Sequence, residues 1–505
     1  MKTTQWVIFL NVFVFWLSGR PCLGQILSDR LSWPDFLGRS ASTIIPESIP
    51  IEWSPTKNVA WTAKLPGQGQ SSPIIFDGKV IVTSIEGSMR ETCHVSAFHL
   101  ESGTRAWSVS YDSSQIQRSN YFQSRSAPTP VATDKGIFCF FETGNLIALR
   151  HDGSELWHRS LTDEFGSFES TIGLASSPIA DDQKLYVLVD HEGPSYLLAV
   201  DQESGETVWK TDRDSRISYS SPSFITVGEE KQILCSSGGG LQSYSLTTGQ
   251  LEWEFEDIGA NTQNTPLVVS DGTFLVGASP GMHGEREASA RKSNLCFSVT
   301  KKDGKYQPRI DWIAQGVVST FASPMAHEGY CYRVNKVGVV YCFDAKTGEP
   351  QFKERISGEC WATPRGIGDK VYFFGKDGVT TVIRSGPVFE KISENTIWDV
   401  DNTPRATPGG SGRSRDSNHE NHNADKADDT QIIRQSGQSE TDSRAPPQNI
   451  GRGGAPTSEA DRELARQQGE NRFADPIQYG VAIVSGSIII RTGDTVYCVK
   501  KDLAE

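Results

Sequence analysis

A short apolar run, a turn of acidic or polar residues containing Gly, and a second run that carries Trp: this unit returns along most of the chain. It spans Ala97 to Trp107 around Gly103, Ala148 to Trp157 around Gly153, and Ala199 to Trp209 around Gly205. Ser245 to Trp253 repeats it around Gly249, and Phe343 to Phe352 repeats it around Gly348 with Phe in place of Trp. A weaker form ends at Trp312. Upstream of each unit stands a small residue before proline: Ser71-Ser72-Pro73, Ala127-Pro128, Ser176-Ser177-Pro178, Ser220-Ser221-Pro222, Asn264-Thr265-Pro266, Ala322-Ser323-Pro324 and Ala362-Thr363-Pro364. The intervals between these prolines are 55, 50, 44, 44, 58 and 40 residues. That period fits the four short strands of one propeller blade.

A four-stranded antiparallel blade has two hydrophobic faces and cannot bury itself, so blades stack around an axis. In such a unit the Gly supplies the positive φ of a tight turn, and the neighbouring Asp or Ser caps it. Trp then fills the space between sheets. Trp61, Trp107, Trp157, Trp209 and Trp253, with Gly103, Gly153, Gly205, Gly249 and Gly348, are therefore read as structural repeat residues. Proline suits the start of an inner strand, where a missing amide hydrogen is tolerated.

Seven units fall at 71–110, 126–160, 175–212, 219–256, 264–313, 322–355 and 361–391. The remainders pair off: Tyr479 to Val499 holds three strands, and Asn58 to Leu65 holds one outer strand without inner partners. Together they predict an eighth blade closed by strands from both ends of the chain, which leaves no open seam. The expected fold is all-β, an eight-bladed β-propeller of four-stranded antiparallel blades, with seven blades as the second choice. Expected boundaries are a signal peptide at 1–24, an N-terminal extension at 25–57, blades at 58–400, an insertion at 401–474 and the closing strands at 475–501.

Two regions stand outside the repeat. Residues 1–24 show a short basic end, an apolar stretch from Trp6 to Leu17 broken only by Asn11, and a small residue for cleavage near Gly24. They read as an export signal, the apolar stretch being too short to cross a bilayer. From Thr403 to Gln468 there is no aromatic and no Cys, while Gly, Ser, Asn, Asp, Arg, Gln and Pro dominate. Such a segment buries too little apolar area to offset its ordering entropy and reads as a disordered insertion.

Composition narrows the function. The chain of 505 residues carries 62 acidic against 49 basic residues, a net charge of -13, and no Lys/Arg run, which argues against nucleic acid as a partner. Aromatics make up 10% with 12 Trp, an excess that the repeat absorbs. Eight cysteines are scattered downstream of Cys22; export permits disulfides, yet Cys139, Cys235 and Cys498 fall in hydrophobic runs and read as buried apolar residues. No Cys-x-x-Cys occurs, and the one close His pair, His419 and His422, falls in the insertion. Gly277-Ala-Ser279-Pro-Gly281 has the outline of a nucleophile elbow but is followed by loop-forming residues instead of a helix, so Ser279 is not read as catalytic. His94, His99, His151 and His158 read as surface hydrogen-bonding residues. Three stretches remain as candidate functional loops: Tyr111 to Phe122, Asp163 to Ile172 and Pro280 to Glu287. No catalytic, cofactor-binding or metal-binding residue is assigned.

The pattern Ala-x-Asp-x-x-Ser/Thr-Gly-x-x-x-Trp, nearly complete from Ala199 to Trp209, resembles the repeat of the pyrroloquinoline-quinone-type propeller superfamily. That superfamily includes BamB-type outer-membrane assembly lipoproteins and the quinoprotein alcohol dehydrogenases. Trp33-Pro-Asp-Phe-Leu-Gly38, followed by Val59-Ala-Trp61 and Ser71-Ser-Pro73, resembles the opening of exported propeller-repeat proteins abundant in planctomycete-like bacteria. The dehydrogenases of the superfamily stack a quinone on a vicinal disulfide and bind calcium; no Cys-Cys pair exists in this chain. The expectation is a noncatalytic exported binding or scaffold module, monomeric and periplasmic or at the cell surface, recognising an envelope protein or surface component. Its alternatives are a quinoprotein-like oxidoreductase using pyrroloquinoline quinone with calcium, and a polysaccharide-binding protein.

Overall fold

In the computed structural model, residues 31–38, 41–116, 124–281, 284–319, 321–400, 403 and 475–501 are described. Their strands form eight four-stranded antiparallel sheets. Blade 1 consists of Ile74–Phe76, Lys79–Glu86, Thr92–His99 and Arg105–Asp112. Blades 2 to 7 follow the same meander, beginning at Val131–Thr133, Ile179–Ala180, Ser223–Val227, Leu267–Ser270, Met325–His327 and Arg365–Ile367. Blade 8 takes Gly480–Val484, Ser487–Arg491 and Thr495–Lys500 from the C-terminal part and Val59–Lys64 as its outer strand. Trp61 there stands opposite Cys498, and Lys64 opposite Thr495. The ring is closed by pairing between distant parts of the chain, as the leftover strands predicted.

Strand position in the blade follows apolar content. The second and third strands, such as Gly136–Phe140 and Asn145–Leu149, are continuous apolar runs and are buried throughout. Outer strands alternate, as in Lys305–Ile313, because one face packs on the next blade and the other meets water. Apolar clusters fill the interfaces between blades: Tyr186 and Leu197 of blade 3 pack with Ile233 and Tyr244 of blade 4, and one cluster joins blades 7, 8 and 1. All eight described cysteines lie free and buried within these layers.

One irregularity repeats in all eight blades. The register between third and outer strands slips by one residue beside the aromatic position, at Ala97/Phe98, Ala148/Leu149, Ala199/Val200 and their equivalents. Such a bulge increases local twist and re-aims the side chain that follows it. The residue opposite the aromatic is small in blade after blade: Ala97 faces Trp107, Ala199 faces Trp209, Cys296 faces Trp312, Cys342 faces Phe352 and Cys498 faces Trp61. Three of the cysteines thus occupy the repeat's alanine position.

The meander gives the ring two unlike faces. Hairpins joining first to second and third to fourth strands lie on one, the turn face; second-to-third connections and blade-to-blade crossings lie on the other, the loop face. The N-terminal stretch covers the turn face. Trp33 exchanges backbone hydrogen bonds with Ile75 (2.7 and 2.9 Å), Pro34 accepts from Ala132 (2.9 Å), and Ser48 Oγ accepts from Gly486 (2.8 Å). The longer connections, including the short helices Leu161–Phe165 and Glu287–Ser293, belong to the loop face.

Candidate functional site

The repeat's Trp and Gly meet across blade interfaces. The Trp61 indole donates to Leu100 O in blade 1 (3.0 Å), Trp107 to His151 O (3.1 Å), Trp157 to Gln202 O (2.9 Å), Trp209 to Leu246 O (3.1 Å) and Trp312 to Ala345 O (3.1 Å). Each acceptor belongs to the third-to-fourth turn of the next blade. The turn's Gly lies under the ring: a Cβ on Gly103 would stand 2.4 Å from Trp61, and one on Gly205 2.7 Å from Trp157. Gly153, Gly249 and Gly348 meet Trp107, Trp209 and Trp312 in the same way. Trp253 departs from the pattern and donates to Gln232 Oε1 of its own blade (2.9 Å), since blade 5 turns through Asp303-Gly304 and offers no docking turn.

The prolines lead to the axis. Each directly precedes an innermost strand, and from blade 1 to blade 6 the hydroxyl residue before it bonds the next blade. Ser72 N donates to Thr129 Oγ1 (2.9 Å), Thr129 N to Ser177 Oγ (3.0 Å) and Ser177 N to Ser221 Oγ (2.9 Å). Ser221 N continues to Thr265 Oγ1 (2.9 Å), Thr265 N to Ser323 Oγ (3.0 Å) and Ser323 N to Thr363 Oγ1 (3.2 Å). In blade 2 the equivalent residues are Thr129-Pro130, not Ala127-Pro128, because Pro130 is the one that abuts the inner strand Val131–Thr133. Blade 8 interrupts the ring with Tyr479-Gly480, where a Cβ on Gly480 would lie 2.2 Å from Ser72 Oγ.

These hydroxyls line an axial cavity of about 250 Å³. Phe36 and Arg365 line its turn-face end, with the Arg365 guanidinium 5.1 Å from the Trp33 ring. At the loop face, residues two positions before the ring hydroxyls form the mouth: Gln70, Ala127, Ala175, Tyr219, Gln263, Phe321 and Trp361. Phe321 and Trp361 pack at 4.6 Å, Trp361 and Tyr479 at 5.9 Å, and the Lys376 ammonium lies 5.0 Å from the Trp361 ring. Ser124 Oγ and Gln263 Oε1 are buried without a hydrogen-bond partner.

Behind the mouth, a buried charged group seals blade 8 to blade 1. Arg491 donates to Ser71 O (2.9 Å) and Thr83 O (2.6 Å). Asp475 lies 3.9 Å from Arg125, and burial holds its carboxyl above the ordinary range against the pull of that guanidinium. Gly69 and Gly493 leave room for the two, since a Cβ at either would strike Arg491 or Asp475. Other buried pairs, Arg213 with Asp190 (2.9 Å) and Arg90 with Glu142 (3.7 Å), lie between blades.

Reactive chemistry does not gather at any of these places. Ser279 is buried and its Oγ accepts from Gly281 N (3.3 Å). His94 is held by Ser110 (2.9 Å) and Glu86 (3.1 Å). Burial pushes the thiols of Cys93, Cys235 and Cys342 up to about 12, far from a nucleophilic thiolate. Among the described residues no three His, Cys, Asp or Glu side chains are grouped to hold a metal ion, and no helix is long and apolar enough to cross a membrane. Of the three loop stretches, Ile116 and Ile172 stand exposed on the loop face, while 117–123 and 282–283 lie outside the described residues. So do the expected export signal, Cys22 and the insertion's His419 and His422.

The sequence matches the family model described as outer membrane protein assembly factor BamB over residues 51–188 and 169–281. Among solved structures, BamB from Moraxella catarrhalis aligns with a TM-score of 0.50 at 13% identity, covering 88% of this chain and 98% of that one. A europium-containing methanol dehydrogenase aligns with a TM-score of 0.46 at 12% identity, over 69% of this chain and 84% of that one. The computationally designed Ika8 protein aligns with a TM-score of 0.47 at 12% identity, over 86% and 98%. No curated protein matches in sequence. The chain is an eight-bladed β-propeller, and its residues 51–281 are similar to the BamB family model.

The quinone and calcium implied by the wider superfamily do not fit the axial cavity. Calcium asks for six to eight oxygens, carboxylates among them. No Asp or Glu lines the cavity, and its one cationic side chain, Arg365, is laid over Trp33. The donors present are neutral hydroxyls, amides and aromatic rings.

Proposed function

We propose that this chain is an exported, noncatalytic binding module that uses its loop face to recognise an envelope protein or another surface component. The observation that carries the reading is the mouth of the axial cavity. A rigid ring of blades presents half-buried aromatic rings there, beside exposed Ile116 and Ile172, without a reactive group among them. Rigid scaffolds with variable loops suit recognition by shape and modest polar contact. The match to a family described as an outer-membrane assembly factor supports an extracytoplasmic setting and an assembly role, and the apolar stretch Trp6 to Leu17 supports export.

Site-specific photocrosslinking in the native envelope tests it. A photoreactive residue at Ile116 or Ile172 is expected to yield discrete adducts, and one at Glu203 or Lys346 on the turn face none. Adducts from the turn face alone, or none from either face, would overturn the reading. So would dehydrogenase turnover after loading with pyrroloquinoline quinone and calcium.

A further inference from the structure

The mouth of the axial cavity is asymmetric in a way the eightfold frame does not require. With eight blades, each faces the one four places on. Phe321 of blade 6 therefore stands opposite Ala127 of blade 2, Trp361 of blade 7 opposite Ala175 of blade 3, and Gln70 of blade 1 opposite Gln263 of blade 5. Phe321, Trp361 and Tyr479 make one wall aromatic, Ala127 and Ala175 cut the facing wall back to methyl groups, and beyond them stand the Gln70 amide on one side and Tyr219 with the Gln263 amide on the other.

The polar groups below are spare. Six ring hydroxyls, from Thr129 to Thr363, each accept a backbone N–H from the preceding blade, which leaves their own hydrogens unbonded among the described residues. Ser124, buried beside the alanine wall, has an Oγ with no partner, as has Gln263 Oε1. Buried donors and acceptors without protein partners are costly, so the site suits a ligand that supplies both. No carboxylate lines the cavity, its one lining cation lies at the far end over Trp33, and the Lys376 ammonium at the mouth is taken up by the Trp361 ring (5.0 Å), so the lining favours a neutral ligand.

We propose that this cavity binds the neutral terminal hexose of a saccharide. A pyranose ring has an apolar C–H face for the aromatic wall and hydroxyl edges for the Gln70 and Gln263 amides and the hydroxyl ring. The alanine wall supplies the space the sugar occupies. The inference rests on the loop-face binding reading and names the chemistry of its ligand.

The full-length protein is screened on an array of glucose-, galactose-, mannose- and N-acetylglucosamine-terminated oligosaccharides, with acidic saccharides alongside, and hits are followed by saturation-transfer NMR. Ala175→Trp, which fills the cut-back wall without removing a contact, and Trp361→Ala are each expected to weaken binding at least tenfold. Their melting temperatures and circular dichroism establish that both still fold, and Lys346→Ala on the turn face is expected to bind as the parent does. No binding of any neutral saccharide at millimolar concentration, a preference for acidic saccharides, or unchanged affinity in folded Ala175→Trp would overturn the proposal. Loop-face crosslinks to a protein without saccharide binding would sink this inference and leave the binding-module reading standing; loss of both would sink both.

Discussion

At the residue scale, the glycine of each docking turn answers two demands at once. Gly205 sits at φ 74°, which costs any residue with a Cβ, and it lies against Trp157 where that Cβ would collide with the indole. Gly205→Ala is expected to lower stability by about 1–3 kcal/mol, the range for overpacking compounded with backbone strain. Urea unfolding checks it; a midpoint within error of the parent would refute it. The neighbouring Asp201 accepts from Glu203 N (3.0 Å), Ser204 N (2.8 Å) and Ser204 Oγ (3.0 Å). These bonds hold its carboxyl below the ordinary value of 3.8, with the Ser204 backbone bond foremost. A depressed carboxylate stabilises the fold above its unfolded value, and that contribution fades as pH falls through the folded one. Asp201→Asn should therefore be destabilised relative to the parent at pH 7 and converge on it as the pH falls through the depressed folded value, below 3.8. A difference independent of pH would exclude the carboxylate's charge as the cause.

At the element scale, blades are joined through side chains that a strand reading overlooks. The proline before the inner strand was legible in six of the eight blades because Pro is conspicuous in an apolar context; in blade 2 Pro128 drew the eye in place of Pro130, and blade 8 has none. The hydroxyl beside it looked like turn chemistry, and its partner lies in the next blade, 44 residues away for Ser177 and Ser221. Removing one hydroxyl strands a buried N–H of the preceding blade, a loss of about 1–3 kcal/mol. Ser177→Ala should show that loss in chemical denaturation, and Ser177→Thr should restore the parent's stability, since Thr129, Thr265 and Thr363 already serve in the ring. Equal destabilisation by Ala and Thr would show that the bond is not what the position contributes. The eight bulges belong to this scale too: a one-residue slip carries no compositional signature, yet it turns the Trp toward its docking turn and explains why Ala, Ser or Cys stands opposite.

At the scale of the whole molecule, closure makes one cooperative ring of eight similar sheets. The strands of blade 8 drawn from the C-terminal part are almost wholly buried, with Ile488, Ile489 and Ile490 fully enclosed. Removing residues 475–505 would expose the flanks of blades 7 and 1 and leave Val59–Lys64 without a partner. Such a chain is expected to aggregate, or to unfold in more than one step, by size-exclusion chromatography and urea titration. A soluble monomer unfolding in one step at the parent's midpoint would show that the seam is dispensable. The buried Arg491 and Asp475 stand at this seam, so charge and strand pairing close the ring together.

The sequence by itself determined the blade: its period, its Gly turns, its Trp and the stray strands that complete an eighth unit. Those features are local, repeated and written in residue types that few other structures demand. Tertiary structure alone decided the site. Gln70, Ala127, Ala175, Gln263, Phe321 and Trp361 share no motif and lie up to hundreds of residues apart. They become neighbours only because each stands two residues before an axial hydroxyl, and the eightfold ring brings that one position from seven of its blades to the same opening.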